Sequence, residues 1–413
     1  MPTKNAVSLK SLSSTGKPSD LTDVAALASL SKRGRSLVGQ EMFKILDKAR
    51  KLEESGLYIY HLELGNSQLR PPMEIIRATV ESIESLNVGY ASSAGLPKLR
   101  SALAERYSRL SGRVITEENV IISPANLLIS QFLDLTCNPG DRVVLFTPAF
   151  PSYFAAAAYI GLDVIDTPLD SVNNYDLLEE HVERAIAARP RAVIVNSANN
   201  PTGAIYDRKV LDLLARRCAE AGIWLLSDET YAELCYGRPF YSLSGAGHAQ
   251  LIVISSFSKI LSIPGFRVGY AIADKFVADR LALSNSTLIS CLPTFVQEGC
   301  AAGLQVIDQY VANIRDYFSK VTRECSDMIN RSDVLTSYPP QAGFYMFLDV
   351  SASGLDDVSF SRRLLEQNRT AVTPGRSFGE KFKTSIRIAT CGNHEDVVLG
   401  INEVVSLVRE LRA

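Results

Sequence analysis

The chain has 413 residues and a mass of 45.2 kDa, enough for two or three domains or one large two-lobed enzyme. It is 46% hydrophobic and 21% charged, an ordinary globular composition, and its net charge of -2 gives no electrostatic reason to expect nucleic acid or an anionic membrane as a partner. Seven cysteines without a C-x-x-C pair point to a reducing, cytoplasmic setting, four histidines never within a turn of each other predict no metal, and no apolar run is long enough for a membrane span.

Residues 1–20 are rich in Ser and Lys and lack the apolar stretch of a secretory signal, so residues 1–38 are read as a mobile arm. Within it, Lys32-Arg33-Gly34-Arg35 is read as a solvated linker. From Gly39 the pattern turns helical. Met42, Phe43, Ile45, Leu46, Ala49 and Leu52 fall at helical spacing before a stop at Gly56, in a segment 39–71 assigned to a small domain. Residues 96–112 predict another helix.

The character then changes. Seven short β-branched or apolar runs follow, at 119–123, 141–148, 162–168, 192–197, 224–228, 251–256 and 267–273, several separated by helical stretches such as 210–222. Runs apolar on both faces suit a buried, mostly parallel seven-stranded sheet with helices on both sides. This predicts an α/β large domain over 72–304. After about residue 305 the periodicity is mainly helical again, broken by strand-like runs at 343–350 and 385–390, which predicts a smaller α+β domain over 305–413.

In an open parallel sheet, ligands bind beyond the carboxyl ends of the strands. Ser123-Pro124-Ala125-Asn126 opens a helix at one such end, Asn199-Asn200-Pro201-Thr202-Gly203 follows another, and Asp228 with Tyr231 follows a third. A fourth strand leads into Ser256, Phe257, Ser258 and Lys259, with Arg267 eight residues on. Singly, each has a bland reading as a cap, turn or solvated charge. Together they could bind a phosphorylated heterocycle with a ring nitrogen, a ring hydroxyl and an aldehyde.

In this order the residues resemble the fold-type I pyridoxal-phosphate enzymes, specifically class I/II aminotransferases of the aspartate aminotransferase superfamily. The resemblance runs from about Gly39 to the C-terminus. It rests on Tyr90-x4-Gly95-x3-Leu99-Arg100, Asn138-Pro139-Gly140-Asp141, Asn200-Pro201-Thr202-Gly203, Asp228-x2-Tyr231, Ser256-x2-Lys259 with Arg267-x-Gly269, Val372-Thr373-Pro374-Gly375-x2-Phe378-Gly379, and Arg387.

The resemblance implies a pyridoxal 5'-phosphate cofactor joined to Lys259 as a Schiff base, with Lys259 also moving the substrate proton. Asp228 would pair with the ring nitrogen, and Asn200 and Tyr231 with the ring hydroxyl. Phe150 would stack on the ring. Ala125 and Asn126 N–H groups, Ser256 and Arg267 would hold the phosphate, and Tyr90 would reach it from the other subunit of a homodimer. Arg387, assisted by backbone near Gly65, would grip the α-carboxylate of an amino acid or 2-oxo acid. Pro124 at the phosphate helix departs from the small or Gly-rich residues usual there. Asn66-Ser67-Gln68-Leu69-Arg70 departs from a common Glu-Pro-Asp, which leaves Arg70 as a candidate for a polar or acidic substrate end.

The implied reaction is transamination, with glutamate and 2-oxoglutarate as the default pair. A pyridoxal-phosphate lyase, decarboxylase or synthase is the alternative on the same scaffold, and a non-catalytic sensor comes after it. Gly375-x-Ser377-x-Gly379 also fits a hydrolase pattern, but only His394 follows it, too near in sequence for that fold.

Overall fold

The structure is a computed structural model and describes residues 27–37 and 39–412. Most of the expected N-terminal arm, residues 1–26, lies outside the described residues. The basic run is not plain linker. It forms a short exposed helix, Lys32–Ser36, because Ser31 caps it by accepting from Gly34 N at 3.1 Å.

In chain order the described strands are β1 (Tyr60–His61), β2 (Val120–Ser123), β3 (Arg142–Thr147), β4 (Asp163–Pro168), β5 (Ala192–Asn196), β6 (Trp224–Asp228), β7 (Leu251–Ser256), β8 (Gly269–Ala273), β9 (Tyr345–Asp349), β10 (Thr370–Ala371), β11 (Thr373–Pro374) and β12 (Ser385–Ala389). The central sheet has seven strands in the order β2-β8-β7-β6-β5-β3-β4. It is parallel except for β8, which runs antiparallel to both β2 and β7. Two antiparallel steps restore direction, so β2 ends at the same edge as β7, and a helix follows it there (Ala125–Thr136).

Alternation along these strands divides the interior. On β7, Leu251 and Val253 join one apolar cluster while Ile252 and Ile254 join another. On β6, Leu225 and Leu226 divide the same way. Side chains of a strand alternate between faces, so each cluster fills the space between one face and its helices. By the same count Ser123, Asn196, Asp228 and Ser256 all turn toward the second cluster's face at the strand ends.

Two smaller sheets lie outside this layer. β1 pairs in parallel with β10, and β11-β12-β9 is antiparallel. They surround a separate core built on Leu62, Met346, Leu348, Ile386 and Ile388 with helix residues Val321, Cys325 and Ile329. The last three belong to a helix of 37 residues, Thr294–Asn330, whose earlier residues Cys300, Ile307 and Ile314 sit in the large core. It runs unbroken through the boundary expected at 304/305.

Candidate active site

The carboxyl edge of the central sheet gathers most of the predicted residues. Lys259 sits on a one-turn helix, Phe257–Ile260, whose cap is Ser256. The Ser256 hydroxyl accepts from Ser258 N at 3.2 Å and lies 2.9 Å from Ser258 Oγ. Lys259 Nζ donates to Gly65 O at 2.7 Å. This contact joins the large sheet to the segment after β1.

Asp228 ends β6. Its Oδ2 accepts from Tyr153 Oη at 2.7 Å and its Oδ1 from Thr230 N at 3.0 Å. Burial raises its pKa, against the Tyr153 and Thr230 hydrogen bonds, which hold it down. No cation pairs with it among the described residues.

Arg387, on β12, is only 1% exposed. One Nη donates to Asn200 Oδ1 at 3.2 Å, and the other to Glu63 O at 2.6 Å and Thr373 Oγ1 at 3.3 Å. Its guanidinium lies 4.2 Å from the Tyr345 ring centroid and 5.0 Å from that of Phe378. Nε has no partner. Among the described residues the arginine is thus gripped by neutral groups and paired with no acid.

Asn200 is fixed from its own loop, its N–H donating to Asn196 Oδ1 at 2.8 Å, while Asn196 Nδ2 donates to Asp228 O at 2.8 Å. Tyr231 is buried, and its hydroxyl donates to Tyr345 Oη at 3.3 Å. Phe150 packs edge-on to Tyr153 with centroids 5.7 Å apart.

At the helix after β2, the first N–H groups, those of Ala125 and Asn126 among them, have no intrahelical acceptor. Gly269 leaves room beside them, since a Cβ there would lie 2.9 Å from both Ala125 N and Ser255 O. Arg267 is exposed, takes a left-handed φ of 58°, and donates to Pro264 O at 2.8 Å.

Two predicted residues stand apart. Tyr90 is 94% exposed and touches none of these groups. The Arg70 side chain is exposed, and only its backbone is held, by Tyr310 Oη at 3.0 Å. The hydrolase pattern does not assemble, because His394 pairs with Glu324 at 2.9 Å.

Sequence reasoning missed Tyr345, Tyr153, Thr373 and the Glu63 carbonyl. The signal for Tyr345 was the strand-like run 343–350, along which side chains alternate between two cores, Tyr345 and Phe347 on the large one and Met346 and Leu348 on the small one. A Cβ on Gly65 would lie 2.0 Å from Tyr345 Oη, so the glycine and the tyrosine need each other.

The sequence profile described as aminotransferase class I and II matches residues 57–402. The chain belongs to that family. It is 27% identical to an aspartate aminotransferase of Musicola paradisiaca, covering 94% of this chain and 98% of that protein. It is 28% identical to an arginine–pyruvate transaminase of Pseudomonas aeruginosa, covering 81% and 86%. Its fold matches that of an aspartate aminotransferase from Thermus thermophilus solved with maleate, with a TM-score of 0.87, 26% identity and coverage of 92% and 99%. This aminotransferase is therefore an enzyme that moves an amino group between an amino acid and a 2-oxo acid. The lyase, decarboxylase or synthase alternative finds no support among these relatives.

Proposed function

We propose that this aminotransferase works with pyridoxal 5'-phosphate held through Lys259, and that Arg387 grips the α-carboxylate of each substrate in turn. The observation that carries the reading is Arg387 itself. A buried cation with neutral partners and a free Nε is costly to leave unpaired, and a carboxylate supplies two acceptors in the plane it needs.

The residues at the strand ends fit the cofactor. Asp228 offers a buried carboxylate without a cation, suited to a protonated ring nitrogen. The Ala125 and Asn126 N–H groups, Ser256 and Arg267 stand at one edge of the sheet, where Gly269, lacking a side chain, lets the Ala125 backbone approach closely, a set suited to a phosphate. Asn200 and Tyr231 would meet the ring hydroxyl, and Phe150 the ring face.

When bound, the cofactor supplies an electron sink for the negative charge left at the substrate Cα. The chain does the rest. Asp228 keeps the ring nitrogen protonated. Lys259 Nζ, once the substrate amine has displaced it from the cofactor, would be free to take the proton from Cα and later to return one. Tyr345 and Phe378 keep the Arg387 guanidinium in one plane, and Glu63 O and Thr373 orient it.

The assembly is read as a homodimer. Met73, Ile76, Val80 and Ile83 form an exposed apolar stripe on the helix Met73–Glu84, continued by Leu86, Val88 and Tyr90. A patch of this kind on a protein surface marks an interface, and Tyr90 would reach the partner's phosphate site from it. Glutamate and 2-oxoglutarate are the proposed default pair, with Arg70 at the distal end of the substrate. Cysteines that are all free fit a reducing, cytoplasmic setting, and no described helix is long and apolar enough to cross a membrane. The division into a large unit over 72–304 and a small one from 39–71 and 305–413 is kept as a reading of where function is divided.

Borohydride reduction followed by peptide mapping tests the centre. A pyridoxyl label on Lys259, absent from Lys259→Ala, is the expected result. A label on another lysine overturns the assignment.

A further inference from the structure

The segment 63–70 is held from two sides. On one side it meets β12 and the residue two places after it, where Glu63 O accepts from Arg387 at 2.6 Å and Gln68 N donates to Cys391 O at 3.1 Å. On the other side it meets the short helix of Lys259 and the long helix Thr294–Asn330. Gly65 O accepts from Lys259 Nζ at 2.7 Å. The further hydrogen bonds on this side, among the described residues, come from hydroxyls that the chemistry described above leaves unused. Ser67 Oγ lies 3.4 Å from Ser262 Oγ, Ser262 Oγ lies 2.9 Å from Tyr310 Oη, and Tyr310 Oη lies 3.0 Å from Arg70 O.

Counting protons gives this chain a direction. A carbonyl only accepts, so the single hydroxyl proton of Tyr310 is committed to Arg70 O. Tyr310 then accepts from Ser262, and Ser262 accepts from Ser67, whose own oxygen accepts from Leu69 N at 3.1 Å. Each hydroxyl gives once and receives once. The chain leaves the segment at Leu69, passes through two other elements and returns to it at Arg70. Ser262 is buried and stands three residues past Lys259 in a left-handed conformation, φ 55°. A serine persists there only where its surroundings hold it, and such positions cluster at functional sites. Tyr310 roots the chain, since it is half-buried against the large core, as is Leu69.

We propose that Tyr310, acting through Ser262 and Ser67, is a positioning residue that sets the spacing between Lys259 and Arg387. The inference rests on the reading of Arg387 as the carboxylate anchor. A lysine joined to the cofactor keeps at most one N–H, so its hold on Gly65 O weakens and the hydroxyl chain carries the hydrogen-bonded hold on this side. The chain keeps Glu63 O, the acceptor that orients Arg387, in register with the helix that carries Lys259. A substrate spans the same distance, with its α-carboxylate on Arg387 and its α-amino group at the place Lys259 vacates. Slack in the segment therefore weakens the grip on the carboxylate, whatever the side chain.

The test sets hydrogen exchange beside kinetics on the holoenzyme, with a panel of the common amino acids and 2-oxoglutarate as the probes. Tyr310→Phe removes one hydroxyl and keeps the aromatic ring. In that variant the peptide containing Gln68 and Leu69 should exchange faster, with cofactor content unchanged. KM should rise roughly three- to tenfold, the span of one neutral hydrogen bond, and alike for every amino acid accepted, while kcat changes little. Ser67→Ala cuts the same chain elsewhere and should add little to Tyr310→Phe, since two cuts in one chain count once. Unchanged exchange, unchanged KM, or additive effects of the two substitutions overturns the proposal. Arg387→Lys separates it from the reading beneath it. An unchanged KM in Arg387→Lys overturns the anchor and the positioning role together, whereas a KM raised there but not in Tyr310→Phe overturns the positioning role alone.

Discussion

Lys259, on the one-turn helix after β7, and Arg387, on β12 of a smaller sheet, each donate a hydrogen bond to the same short segment, at Gly65 O and Glu63 O. Their backbone partners explain why the residues themselves point to the cations, while the holder near Gly65 enters only through the family resemblance. A lysine three residues past Ser256 or an arginine in a strand is visible as a residue type, whereas a carbonyl that accepts a bond leaves no mark in the residue order. Tyr345 escaped for a related reason, since its role lies in where its ring rests. The holder has a charge of its own to manage. The Glu63 carboxylate is fully buried and meets His61 Nδ1 at 2.9 Å, while His61 Nε2 meets Glu53 at 3.1 Å. The Glu63 hydrogen bond, outweighing burial, pushes His61 up from 6.5 to about 9. A histidine raised on folding contributes stability that is fully present below the lower value and is lost as pH climbs through the higher one. The melting temperature should therefore fall between pH 6.5 and about 9. His61→Gln should flatten that stretch of the profile, and parallel profiles for the two proteins would refute the linkage.

At the scale of elements, the seven strand-like runs became the seven strands of the sheet, because short β-branched segments buried on both faces have few other ways to satisfy their backbone; β4, at the sheet edge, is the half-exposed exception. The order of the strands and the reversed direction of β8 were not legible, since both depend on pairing between segments far apart in sequence. The helix Lys32–Ser36 was missed because its residues read only as charge, and its start rests on one serine. Gly269 shows how closely the strand ends meet. A Cβ there would lie 2.9 Å from Ala125 N and Ser255 O and 3.0 Å from Ser123 O, all of them backbone atoms that cannot rotate away. Gly269→Ala should destabilise the fold by about 1–3 kcal/mol, the usual cost of overpacking. It should also lower cofactor content more than Gly56→Ala, where a left-handed φ of 89° strains an alanine too but nothing lies within 4 Å. Thermal melts and the ratio of bound cofactor to protein measure both effects. Equal cofactor content in the two variants would separate Gly269 from the phosphate cradle.

For the whole molecule, the apolar stripe over 73–90 and the exposed Tyr90 make the subunit contact the first thing to test. Inactive Tyr90→Ala and Lys259→Ala proteins, mixed and allowed to exchange, should regain part of the activity through hybrid dimers that hold one intact site. Activity in a protein that sediments as a monomer would contradict the shared site. The long helix Thr294–Asn330 bears on the same question from the inside. At 1.5 Å per residue its 37 residues make a rod of about 55 Å, rooted in both cores. Near its start, Gly299 and Gly303 let it press against Ile75 and Thr79, on the helix whose outer side carries the apolar stripe. Near its end it carries Val321, Cys325 and Ile329 into the small core that holds β12 and Arg387. A beam clamped at one end to the contact surface and at the other to the substrate's anchor has no joint along its length. Any travel of Arg387 relative to Lys259 along this route has to pivot or flex that helix as one piece, since it offers no hinge within its 37 residues.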